Sequence, residues 1–154
     1  MSQLSDHIER ILPELVAFRR DLHANPELGF EEHRTSQRVQ DELKGAEIQF
    51  QAGLAGGTGV LGHLPGNASS ATAFRADMDA LPITEAKGKP YRSTVEGKMH
   101  ACGHDGHTTI LVGAARVLSA IGAECPLPRP ITLCFQPAEE GGGGGLRMVE
   151  DGCL

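Results

Sequence analysis

Residues Met99 to His107, Met-His-Ala-Cys-Gly-His-Asp-Gly-His, place three of the seven histidines and one of the four cysteines in nine positions. So many coordinating groups in one short loop need a rigid support, and the residues that follow supply one. Ile110, Leu111, Ala114, Val117, Leu118 and Ile121 recur at helical spacing, with Asp105 as candidate cap and Gly122 as stop. A proline-rich connection from Cys125 to Pro130 then leads into Ile131 to Gln136, which reads as a short apolar strand. With a strand ahead of the loop this makes a βαβ crossover, so the expected frame is α/β, a parallel or mixed sheet with a right-handed connection.

The loop's chemistry points to a metal. Thiolate, imidazole and carboxylate all bind divalent transition ions, and the Cys102-x-His104 spacing lets both side chains reach one ion from a tight turn at Gly103. His100, Asp105 and His107 are candidates to orient those ligands. A redox or nucleophilic Cys102 is the competing reading, but it needs no second histidine and no carboxylate pair. That pair lies after the apolar strand, in Pro137-Ala-Glu-Glu-Gly141. Adjacent glutamates on a bent loop diverge, so one can ligate while its neighbour works on a water; the bland alternative is a solvated acidic turn. Asp77 and Asp79, after the candidate strand Ala71 to Phe74, either cap the next segment or orient ligands. The run Gly141 to Gly145 lacks the Lys-Ser/Thr ending of a nucleotide loop and is read as close packing beside a site, ahead of a short helix from Leu146 to Glu150.

Elsewhere, Ile8, Ile11, Leu12, Leu15, Phe18 and Leu22 mark an opening helix with Ser5 as possible cap; Pro13 either kinks it or begins it. After the turn Asn25 to Gly29, a largely exposed helix is expected from Glu31 to Lys44, with Thr35, Val39 and Leu43 on its inner face. Glu47 to Gln51 and Val60 to Leu64 are further candidate strands, and Lys87 to Lys98 a surface loop. His23 reads as a helix-terminus histidine; His7, His33 and His63 as surface or packing residues.

At 154 residues, 40% hydrophobic and 22% charged, one domain is expected. A net charge of -6 with scattered Lys and Arg, and only five Phe, one Tyr and no Trp, argue against nucleic acid as partner. No apolar leader and no run long enough to span a bilayer are present, so the expectation is a cytoplasmic chain without a membrane partner. All four cysteines are expected reduced, Cys134 as a core residue.

Four blocks carry a resemblance: Arg19-Arg-Asp-Leu-His23 with Pro26-Glu-Leu28, Phe74-Arg-Ala-Asp-Met-Asp-Ala-Leu-Pro82, the Met99 to His107 loop, and Phe135-Gln-Pro-Ala-Glu-Glu-Gly141. In this order they resemble the M20 metallopeptidase family, amidohydrolase subgroup, which includes hippurate hydrolases, N-acyl-amino-acid amidohydrolases and auxin-conjugate hydrolases. The resemblance implies a three-layer α/β/α, zinc-peptidase-like catalytic domain with a mixed sheet and two divalent ions, Mn²⁺ or Zn²⁺. It implies Cys102, His104 and Glu140 as metal ligands, Glu139 as general acid/base, and a small-molecule N-acyl amino acid as substrate. Family members are longer, with an inserted dimerisation domain and further histidine ligands. The chain is therefore expected to be the N-terminal part of the catalytic domain, with oligomerisation belonging to the full-length protein and little or no turnover by these 154 residues alone.

Overall fold

The apolar run Ile131–Gln136 forms the strand around which the rest of the computed structural model packs; the structure describes residues 3–153. In chain order the elements are α1 (Gln3–Ala24), α2 (His33–Gly45), β1 (Gln49–Leu54), β2 (Gly59–Leu64), β3 (Thr72–Asp77), α3 (His104–Glu124), β4 (Ile131–Gln136) and α4 (Gly144–Glu150). The sheet order is β1-β2-β4-β3, with β3 parallel to β4 and the other pairs antiparallel, a mixed sheet.

Period-two alternation divides the sheet's faces. Val60, Leu64, Ile131, Leu133 and Phe135 point to one side, where Val39 and Leu43 of α2 and Leu111, Val112 and Ala115 of α3 close the main core, with Phe18 and Leu22 of α1 beyond. Burial of each of the Val, Leu, Ile and Phe side chains among these contributes roughly 1.5–3 kcal/mol. Leu61 and Cys134 point to the other side, where Met148 of α4 covers them with Leu54, Ala55 and Cys153. Helices thus lie on both faces, in three layers, the second helical layer supplied by the short α4 alone among the described residues.

The strands and helices lie where periodicity places them, within a few residues, and the ends differ for local reasons. Ser5 does not cap α1, which already includes Gln3. Pro13 neither breaks nor begins that helix; it sits inside it on the exposed side, where a carbonyl deprived of its amide partner can reach water. The N-cap of α3 is Gly103, in the left-handed region at φ 87°, so the helix begins two residues before Gly106 and Asp105 falls in its first turn. Ile110, expected on the buried stripe of α3, is 70% exposed, and Cys134 is only partly buried, beside Cys153 rather than in the main core. No helix among the described residues is long and apolar enough to cross a membrane.

Candidate metal centre

Parallel pairing puts Asp77 opposite Gln136, so β3 and β4 end side by side and release the loops Met78–Pro82 and Pro137–Gly143 at one edge. Open α/β sheets put ligand sites at the carboxyl ends of parallel strands for this reason. The third loop is brought in by an isolated bridge in which Leu81 and Met99 exchange backbone hydrogen bonds of 3.0 Å. It delivers Cys102 and, at the start of α3, His104.

Ligand atoms of Cys102, His104 and Glu140 all lie within 4.8 Å of one another. Donors on one tetrahedral ion are about 3.3–3.8 Å apart, so small side-chain rotations bring these three onto a single cation. His104 is 2% exposed and its ring is fixed: Nδ1–H donates to the Asp79 carbonyl at 2.9 Å, with Asp79 Oδ1 at 3.2 Å. Its lone pair is therefore on Nε2, which faces Glu140 Oε1 at 3.9 Å. Asp79 Oδ2 accepts from the Glu140 backbone N–H at 2.9 Å, tying the two loops together. A soft thiolate, an oriented imidazole and a carboxylate fit a divalent transition ion.

A second triad, Asp77, His104 and His107, meets the same distance test and shares His104. Nε2 of His104 lies 3.6 Å from Asp77 Oδ1, but that oxygen already accepts a 2.6 Å bond from His107 Nδ1–H. Burial pushes the Asp77 carboxyl up, yet the His107 hydrogen bond and the neighbouring imidazoles outweigh it, leaving the pKa below the usual value. One nitrogen lone pair serves one ion, and Cys102 and Glu140 are the freer partners. The Cys102 thiol hydrogen-bonds Glu140; this bond, then partial desolvation and the charges of Glu140, Glu139 and Asp77, push its pKa up. A bound cation reverses that, because a coordinating thiol loses its proton.

Glu139 precedes Glu140 on the turn and is exposed. A cleft of about 340 Å³ lined by Leu28, Asp79, Leu81, Glu140 and Gly142 among others opens beside the pair. Two larger clefts, of about 580 and 820 Å³, are lined by none of the candidate donors. Part of the glycine run packs closely, as expected: a Cβ on Gly144 would sit 1.7 Å from the Pro137 carbonyl oxygen and one on Gly142 2.6 Å from Ala138 Cβ, whereas Gly141 and Gly143 face open space and serve by their left-handed φ of 91° and 70°.

Asp105 is not turned to the donors. Its Oδ2 accepts from Arg19 Nε at 3.1 Å and faces His23 Nδ1 at 2.8 Å, while His23 Nε2 faces Glu85 Oε1 at 3.1 Å. His23, read from the sequence as a helix-terminus histidine, does lie in the last turn of α1 and is a buried link to the start of α3. His100 is buried without a hydrogen-bond partner for either ring nitrogen, and burial, with His23 and His104 nearby, lowers its pKa to about 4 against the pull of Asp105 and Asp79. Sequence also passes over Glu32 and Glu85 and gives Glu27 no role beyond its motif; nothing in one chain's local pattern distinguishes the three from solvated acids.

Residues 73–154 match the model of the peptidase family M20/M25/M40. The chain belongs to this family. An IAA-amino acid hydrolase, ILR1-like 5, of Arabidopsis thaliana is 47% identical over 140 residues, covering 91% of this chain and 32% of that protein. The hippurate hydrolase of Campylobacter jejuni is 47% identical over 141 residues, 90% of this chain and 35% of its own length. The crystal structure of Bacillus subtilis YXEP, described as a dinuclear metal-binding peptidase of the M20 family, superposes with a TM-score of 0.87 at 39% identity, covering 95% of this chain and 41% of that one. The chain spans about a third of the length of these curated M20 relatives.

Proposed function

We propose that the chain supplies the N-terminal part of the catalytic domain of a metal-dependent amidohydrolase that cleaves the amide bond of N-acyl amino acids. The observation that carries this reading is the donor set Cys102, His104 and Glu140 gathered at the strand ends with Glu139 adjoining. The names of the hippurate and IAA-amino acid hydrolases support an acylated amino acid as substrate class. Cys102, His104 and Glu140 hold a divalent ion, Zn²⁺ favoured by sulfur and imidazole, Mn²⁺ by carboxylates, and the description of YXEP as dinuclear supports two ions in the complete site. When bound, the metal supplies Lewis acidity that polarises an acyl carbonyl and acidifies water. Glu139 accepts the proton of the attacking water and passes it to the departing amine. Asp79 keeps His104 in the ligating tautomer, and Asp77 orients His107.

In the protein carrying this chain, Glu139→Gln is expected to lower hydrolysis of hippurate at least 100-fold while leaving metal binding intact. Added metal is expected to shield Cys102 from thiol reagents, while exposed Cys125 still reacts. Hydrolysis that survives both chelation and Glu139→Gln refutes the proposal. A second reading, metal binding without turnover by these residues alone, is favoured by the third of the relatives' length that they span; ion binding with no hydrolysis by the isolated chain supports it.

A further inference from the structure

Glu32 stands at the N-cap of α2 yet makes no capping hydrogen bond. That task falls to Glu27, whose Oε1 accepts from the Arg34 N–H at 2.9 Å and whose Oε2 accepts from the Thr35 N–H at 2.7 Å and the Thr35 hydroxyl at 2.8 Å. Glu32 is thereby released inward, where it is 0% exposed. Its Oε2 accepts from Thr58 Oγ1–H at 2.9 Å, and its Oε1 from the backbone N–H of Ala138 at 2.8 Å.

Ala138 is the residue immediately before Glu139 and Glu140. It holds φ at 50°, a left-handed conformation costly for a residue with a Cβ, and is 1% exposed. Its carbonyl accepts from the Gly144 N–H at 3.1 Å, closing the glycine loop over it. A buried carboxylate is itself costly unless both oxygens find donors. Here one donor is the amide of the strained residue and the other a hydroxyl from the turn before β2. We propose that Glu32 is a positioning residue: a buried carboxylate anchor that holds Ala138 in its left-handed conformation and so aims Glu139 and Glu140 at the metal. This inference rests on the metal-centre reading above.

Co²⁺ titration of the protein carrying this chain tests it, read by the visible and thiolate charge-transfer bands of the bound ion, with circular dichroism at 10 °C confirming the fold. Glu32→Ala is expected to weaken Co²⁺ binding 10- to 100-fold and to alter the bands, since the Glu140 ligand is no longer aimed. Glu32→Gln is expected to stay within threefold of the parent: its amide oxygen still accepts from Ala138, and its NH₂ donates to the Thr58 hydroxyl oxygen. A Glu32→Ala chain that is folded but binds Co²⁺ with parental affinity and spectrum overturns the proposal. So does a folded Glu32→Gln chain that has lost the spectrum. If Glu32→Ala does not fold, Thr58→Val decides: it leaves the carboxylate one partner, and a three- to tenfold loss is expected, an unchanged affinity overturning the idea. If the parent protein carrying this chain binds no Co²⁺, the metal-centre reading itself fails and this inference falls with it.

Discussion

Asp79→Asn is the most exacting test of the centre, because the substitution changes almost no volume and only one atom's hydrogen-bonding sense. Asp79 is buried, and each carboxylate oxygen faces a donor: Oδ1 the His104 Nδ1–H at 3.2 Å, Oδ2 the Glu140 N–H at 2.9 Å. Asparagine offers one acceptor and one NH₂. If its oxygen stays with Glu140, the NH₂ confronts the His104 Nδ1–H. The ring escapes only by moving its proton to Nε2, which removes the lone pair a metal needs and leaves Nδ1 facing the Asp79 carbonyl at 2.9 Å. One charge-assisted hydrogen bond is lost and a donor is left facing a donor, about 1.5–3 kcal/mol of folding stability. Loss of the ligand's orienting partner is expected to weaken metal binding 10- to 100-fold, about 1.4–2.7 kcal/mol. Urea denaturation without metal gives the first quantity, and Co²⁺ titration the second. Asp79→Asn protein with Co²⁺ affinity within twofold of the parent would refute the tautomer argument. A stability loss without an affinity loss would make Asp79 a scaffold residue only.

Leu133→Ala removes a fully buried side chain from the central strand, where it packs among Gly62 and Leu43, and is expected to cost about 2–5 kcal/mol in urea denaturation; a loss below 1 kcal/mol contradicts the burial of that face of β4 in the main core. Burial alone would raise the pKa of Glu85, but the Ser93 N–H at 2.7 Å, His23 and Lys89 outweigh it and lower the value from 4.5 to about 2. A depressed carboxyl pKa adds stability that is full above the unfolded value and disappears as pH falls through the folded one. The stability gap between the parent and Glu85→Gln is therefore expected to be widest above pH 4.5 and to close towards pH 2; a gap that does not change over that range counts against the network.

Local pattern carried a good deal of this protein. Short apolar runs mark β4 to the residue and β2 to within one, because both are inner strands of the sheet with helices on either side; helical spacing marks Thr35, Val39 and Leu43 as the inner face of α2. The kinds of donor in Met99–His107 and the tandem glutamates were equally plain, since ligand chemistry belongs to side chains whatever their surroundings. The differences fall where a terminus or an exposure depends on a neighbour: Ser5 and Asp105 as caps and Ile110 as buried, while His23 is at a helix end as read but buried there by Asp105 and Glu85.

Which of those groups meet was decided by tertiary structure. Asp79 reaches Glu140 across 61 positions and Glu32 reaches Ala138 across 106. The first contact follows from the parallel register of Asp77 with Gln136, which ends two strands at one edge and superposes the loops beyond them, and the second from the packing that brings the start of α2 to that edge. A periodic pattern states which face a residue prefers, whereas register states what it faces. For a buried carboxylate the free energy lies in the second, because only a partner's donors offset the loss of water.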